Sequence, residues 1–200
     1  MNKNNFAHRP TLRVKNTRNI LVLKLHLVKL VKSVIVEAMK TLLIMRHAKS
    51  DWENTKLADH ERPLNPRGRQ DAPRMGKLLK DEDLVPDLII SSTAERALTT
   101  AELTALACDF DGRLLTTRHF YLSDPADYLE QLRGVDDQFN RVMIVGHNPG
   151  MEELVADLTG QTEHFSTANI AHVELPISSW SQLTEDTTGT LRHLWRPKEI

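Results

Sequence analysis

Two histidines and two arginines fall at the ends of apolar runs. Arg46-His47 follows Thr41–Met45 (TLLIM), and Gly146-His147 follows Val142–Val145. A third run, Leu88-Ile89-Ile90, passes into Ser91-Ser92, and Arg96 comes shortly after. Short continuous apolar runs suit buried parallel strands. In open α/β sheets ligands gather beyond the carboxyl ends of such strands. The spacing therefore predicts that Arg46, His47, Arg96 and His147 converge from segments up to 100 residues apart.

Such a set suits phosphoryl chemistry. Guanidinium groups give fixed, bidentate hydrogen bonds to phosphate oxygens and stay charged. A helix N-terminus near Arg96 adds backbone donors. A histidine among these cations should have a lowered pKa and a free ring lone pair at neutral pH. That nitrogen could attack phosphorus and form a phosphohistidine intermediate. The second histidine, if charged, would stabilise the phosphoryl oxygens during transfer. The scheme needs neither metal nor cofactor.

The elements that must position these groups follow from pattern. Asn65-Pro66 signals a helix start, with Pro73 predicting a kink or a late start before Met75, Leu78 and Leu79. Ser92 with Glu95 reads as a capping box opening a helix through about Ala107. Leu114–Thr117 reads as a more polar strand, Pro125–Leu132 and Met151–Leu158 as helices. Ile170–Leu175 and Thr190–Trp195 look like an antiparallel pair on a sheet edge. Strands alternating with helices predict an α/β sandwich with a largely parallel sheet, in one domain.

Charge divides the 200 residues unevenly. The chain sums to −1, yet residues 1–38 carry +7 and residues 39–200 carry −8. The near-neutral sum excludes a strongly basic nucleic-acid binder and an acidic disordered chain. The basic leader contains Ile20–Val36 (ILVLKLHLVKLVKSVIV), whose lysines interrupt the apolar run, so it lacks the features of a secretory signal. We read it as disordered or as sequence upstream of a functional start at Met39; a targeting peptide or membrane-surface helix is the alternative. No run of about 20 apolar residues suggests a span, and no stable membrane association is expected. The one cysteine, Cys108, reads as a small apolar residue and fits a reducing cytoplasm.

Several motifs together resemble the histidine phosphatase superfamily, the phosphoglycerate-mutase-like fold. LLIMRHAKSDW resembles its RHG signature. RPLNPRGRQDA, IISSTAERALTTAE, IVGHNPGMEEL and FSTANIAHVELP, in that order, look most like its SixA-like phosphohistidine phosphatase branch. The resemblance runs from Met39 to about Pro176 and implies a three-layer α/β/α sandwich. It implies that His47 is the nucleophile, Arg46 and Arg96 phosphate ligands, and His147 the second pocket histidine. Ala48 departs from the signature glycine. Glu53 stands where mutases of the superfamily tend to have a pocket asparagine, and the long insertions of larger members are missing. Both departures favour a small phosphatase with an open site, suited to phosphohistidine in a protein.

Other residues read less sharply. Glu53 and Asp124 are the candidates if a general acid exists; both also suit solvated loop positions. A phosphoramidate leaves as imidazole, so a dedicated acid is dispensable for it. Lys49 could add positive potential, and Ser91 or Ser92 could donate to phosphate, although capping accounts for Ser92. Arg62 and Arg67 read as a basic helix start on the surface that could rim the pocket. Thr167 and Asn169 could orient pocket loops. His60, His119, His164, His172 and His193 lack close metal-ligand spacing and read as surface or packing residues. The expected function is a metal-independent phosphatase for phosphohistidine in a protein. The alternatives are a phosphatase for small phosphate esters and a non-catalytic phosphate-binding module.

Overall fold

A computed structural model describes residues 39–200; the basic leader, with both readings of it, lies outside the described residues. β1 is Lys40–Arg46, β2 Leu88–Ser92, β3 Arg113–Thr117, β4 Arg141–Gly146, β5 Ile170–Leu175 and β6 Thr190–Trp195. They form one sheet in the order β3-β2-β4-β1-β5-β6. The first four strands are parallel, and β5 and β6 run antiparallel at one edge. The apolar runs fill the centre, where both faces are covered. The polar β3 sits at the opposite edge, as its composition predicts.

Alternation along the strands divides the core into two layers. Leu42, Ile44, Ile90, Val142 and Ile144 face one side. There they meet Tyr128, Leu129 and Leu132 of α3 (Pro125–Arg133) and Met151, Leu154 and Leu158 of α4 (Gly150–Thr159). Leu43, Met45, Ile89, Met143 and Val145 face the other side, against α1 (Pro66–Asp81) and α2 (Glu95–Ala107). The result is a three-layer α/β/α sandwich. Each fully buried leucine or isoleucine contributes about 1.5–3 kcal/mol relative to an exposed one. The β1 ladder at the centre is thus the most strongly held part of the sheet.

Two local expectations fail. Pro73 does not delay the start of α1: the helix runs from Pro66 to Asp81, capped by the Asn65 side chain accepting from Gly68 N at 2.9 Å. Proline there strips the Arg69 carbonyl of its helical partner, but Arg69 is exposed and water can replace the bond. Ser92 forms no capping box. It ends β2, and α2 begins at Glu95 with Ala94 as its N-cap and no side-chain cap bond.

Candidate active site

Parallel pairing of β1 with β4 sets Arg46 opposite Gly146, so each following residue, His47 and His147, leaves its strand at the same level. Their ring centroids are 5.0 Å apart. Both line a cavity of about 350 Å³, together with Arg46, Arg62, Arg96, Asp59 and Tyr121. The four residues singled out by strand-end position therefore lie around one cavity.

His47 is 8% exposed, and its Nδ1 lies 2.7 Å from the Ala48 carbonyl oxygen. A carbonyl only accepts, so Nδ1 carries the proton and Nε2 keeps its lone pair. Burial pushes the His47 pKa down to about 3, with Arg96, Arg46 and Arg62 lowering it further and the Ala48 bond working the other way. The lowering was expected from the neighbouring cations; burial is the larger cause. Ala48 is fully buried, and its N–H donates to Thr100 Oγ1 at 3.0 Å. It does not take a positive φ, so a methyl group fits where the signature has glycine. Gly68 is needed for a different reason: a side chain there would strike the Lys49 backbone, which the start of α1 approaches closely.

His147 is 3% exposed, and its Nε2 lies 2.9 Å from Ser92 Oγ. Ser92 Oγ also accepts from Ala94 N at 3.3 Å, so the one hydroxyl serves both the backbone and His147. The His147 Nδ1 is buried and has no partner among the described residues. Burial, then His47 and Arg96, push the His147 pKa down to about 2. His147 is therefore neutral, not the charged form for which an electrostatic role was expected from sequence. The hydroxyl read as a helix cap is its support.

Asp59, Tyr121 and Arg62 complete the site. Asp59 lies on a short 3-10 turn, Asp59–Glu61. Its carboxylate accepts from Arg96 Nη2 at 2.9 Å, Arg62 Nη1 at 2.8 Å and Tyr121 Oη at 2.9 Å. Those bonds and the Arg96 charge outweigh burial and hold its pKa down at about 2. Arg62 was read as a surface helix start; instead it is 7% exposed. It donates to Ser50 Oγ at 2.8 Å and Asp51 O at 2.9 Å, and its guanidinium stacks 3.2 Å from the Trp52 ring centroid. Its place in the RPLNPRG motif was the available signal. Tyr121 and Asp59, on irregular segments, gave none.

Other candidates fall elsewhere. Asp124 is exposed, caps α3 by accepting from Asp127 N at 3.2 Å, and borders a separate cavity with Ala126 and Leu129. Glu53 is exposed on the loop after β1 and does not line the pocket. Lys49 and Thr167 do line it. Asn169 is fully buried, and its backbone carbonyl accepts from Arg46 N at 3.2 Å. Ser91 is turned inward, donating to the Ser92 carbonyl. His60 bonds Thr93 Oγ1 at 2.9 Å and packs edge-on against Tyr121. Cys108 is buried in the α1–α2 layer.

A sandwich whose parallel strand ends carry this cluster is built to hold a phosphoryl-sized anion against a neutral histidine. Residues 42–116 match the histidine phosphatase superfamily (branch 1). An uncharacterized chloroplastic protein of Arabidopsis thaliana is 30% identical over 154 residues, 72% of this chain and 70% of that protein. A 2,3-bisphosphoglycerate-dependent phosphoglycerate mutase of Mycobacterium leprae is 38% identical over 72 residues, but these are 35% of this chain and 29% of the mutase. Among solved structures, a proposed phosphohistidine phosphatase SixA of Agrobacterium tumefaciens superposes with a TM-score of 0.68 at 25% identity, covering 79% of this chain and 98% of that one. The protein histidine phosphatase SixA complexed with tungstate gives 0.67 at 23%, covering 80% and 98%. The chain belongs to the histidine phosphatase superfamily and is SixA-like in structure. Members of this superfamily are phosphatases and mutases.

Proposed function

We propose that the protein is a phosphohistidine phosphatase, with residues 39–200 as its catalytic unit. The carrying observation is that Asp59, the one carboxyl among the described residues lining the pocket, is held ionised by three donors. An ester needs a proton for its departing oxygen, and this pocket has no carboxylic acid to give one. A phosphohistidine whose other ring nitrogen has taken a proton from solvent leaves as neutral imidazole, so the pocket need not supply an acid. His47 Nε2 attacks phosphorus, and the bond from phosphorus to the substrate imidazole breaks. Arg46, Arg62 and Arg96 hold the phosphoryl oxygens, with the His147 ring packed beside His47. Water then attacks phosphorus, releasing inorganic phosphate and returning the lone pair to Nε2.

The mouth supports a polypeptide substrate. Trp52 and Leu122, 70% and 68% exposed, both border the pocket. Leu122 also holds a left-handed backbone, φ 55°, which leucine rarely adopts. Exposed apolar side chains around a polar hole suit docking of another protein surface.

The test compares a phosphohistidine peptide with p-nitrophenyl phosphate, using wild type and His47→Ala. Wild type is expected to favour the peptide and to accumulate acid-labile phosphate on His47. Preference for the ester, or full activity of His47→Ala, would overturn the reading.

A further inference from the structure

A second cavity, about 290 Å³, opens beside the first and shares Arg46, Lys49 and Thr167 with it. Its remaining cations come from the first turn of α1, Arg67, and from the segment after β6, Arg196 and Lys198. Five cations thus face one lining carboxylate, Glu199, in a unit whose 162 described residues sum to −8. Arg67 is offset by Asp71 at 3.2 Å, and Arg196 by Glu163 at 2.9 Å. Arg46, Lys49 and Lys198 have no carboxylate partner among the described residues. Arg46 is fixed where the cavities meet, its Nη1 donating to the Phe165 carbonyl at 2.7 Å, while its buried Nε finds no acceptor. Like charges gathered this closely repel one another unless an anion joins them.

Taking the phosphohistidine phosphatase reading as its basis, we infer that this second cavity receives a carboxylate side chain of the protein substrate, near its phosphohistidine. Two features favour a carboxylate over a second phosphate. The cavities share one guanidinium, so a monoanion beside the bound phosphoryl dianion is repelled less than another dianion. The Trp52–Leu122 rim also suits a polypeptide that spans both openings. The carboxylate sits between Arg67 and Lys198, with Lys49 beside them, and lies apart from the reacting atoms. It is held equally in the ground and transition states, so its contribution appears in KM and not in kcat.

The test uses phosphohistidine peptides in which a glutamate, or glutamine as control, is walked through the positions flanking the phosphohistidine. Wild type is compared with the double variant Arg67→Gln/Lys198→Gln, both exposed positions. At one or more positions wild type is expected to favour glutamate by about tenfold in kcat/KM, expressed in KM, a factor worth ~1.4 kcal/mol. Within the double variant the ratio is expected to fall to about two or less, and salt is expected to shrink the wild-type ratio. Equal turnover of glutamate and glutamine peptides at every position overturns the inference and leaves the phosphatase reading standing. So does a preference that survives in the double variant. Turnover of no peptide, with His47-dependent turnover of 3-phosphoglycerate in preference to glycerol 3-phosphate, overturns the phosphohistidine reading and assigns the cavity to small carboxylated esters.

Discussion

Asp59 takes two hydrogen bonds from Arg96, one on its carboxylate at 2.9 Å and one on its backbone carbonyl at 2.5 Å. A carboxylate thus occupies donors that a phosphoryl group needs, while it also fixes the arginine's direction. Asp59→Asn keeps the shape and removes the charge. The variant is expected to bind tungstate or phosphate several-fold more tightly and to turn over about tenfold more slowly, because Arg96 and Arg62 lose their common anchor. Oxyanion affinity measured beside kcat checks both. Weaker oxyanion binding would show that anchoring outweighs competition.

Ser92 bonds His147 Nε2 without lining the pocket. Ser92→Ala leaves His147 Nε2 without its partner and frees the ring to turn or change tautomer beside His47. The expected effect is about a tenfold to hundredfold loss of kcat with little change in KM, below the loss for removing an oxyanion donor outright. Ser92→Thr, which retains the hydroxyl, should recover most of it. Unchanged kcat in Ser92→Ala would exclude this role.

The lowered histidine pKa values carry a stability prediction. Both residues are buried neutral, at about 3 and about 2 against 6.5. The unfolded chain therefore binds more protons below pH 6.5, and stability falls as pH drops from there toward 3. Between pH 7 and 5 each histidine accounts for up to about 2 kcal/mol, or roughly 4–8 °C in Tm for a domain of this size. His47→Gln should lose less Tm over that interval than wild type, by about that amount. Parallel curves would mean that His47 keeps an ordinary pKa. Activity should show no acid limb from His47 above about pH 5.

The exposed rim offers a separation of substrates. Trp52→Ala with Leu122→Ala should raise KM for a phosphohistidine protein about tenfold or more, as loss of an exposed aromatic anchor does. KM for p-nitrophenyl phosphate should move less than threefold. Trp52 also stacks on Arg62, so a large shift for the small ester would assign the tryptophan to holding that arginine.

Much of this arrangement was legible from residue order. The strands were readable because buried parallel strands are short apolar runs, and those runs end at Arg46, Ser92 and Gly146. The clustering of His47, Arg96 and His147 followed from one rule about where parallel strands point. Asp59, Arg62 and Tyr121 were not readable as a group, since they arrive on turns whose paths depend on tertiary packing. Ser92 was misread because its hydroxyl had a plausible local use. His147, 55 residues away in sequence, competes for that hydroxyl and forms the shorter contact. The start of α1 was misplaced as late because the proline rule was given more weight than the Asn65 cap, which begins the helix seven residues before Pro73.

The pairing of Arg46 with Gly146 has a consequence for assembly of the site. The nucleophile and its partner histidine stand one residue past the same rung of the central ladder, contributed by strands a hundred positions apart. A slip of one residue in that ladder would set the two histidines on opposite faces of the sheet. Competence is therefore acquired only when the slow, long-range zipper between β1 and β4 closes in register. During refolding, recovery of turnover should coincide with burial of the central sheet. Helix formation, which rests on nearby residues, should run ahead of it.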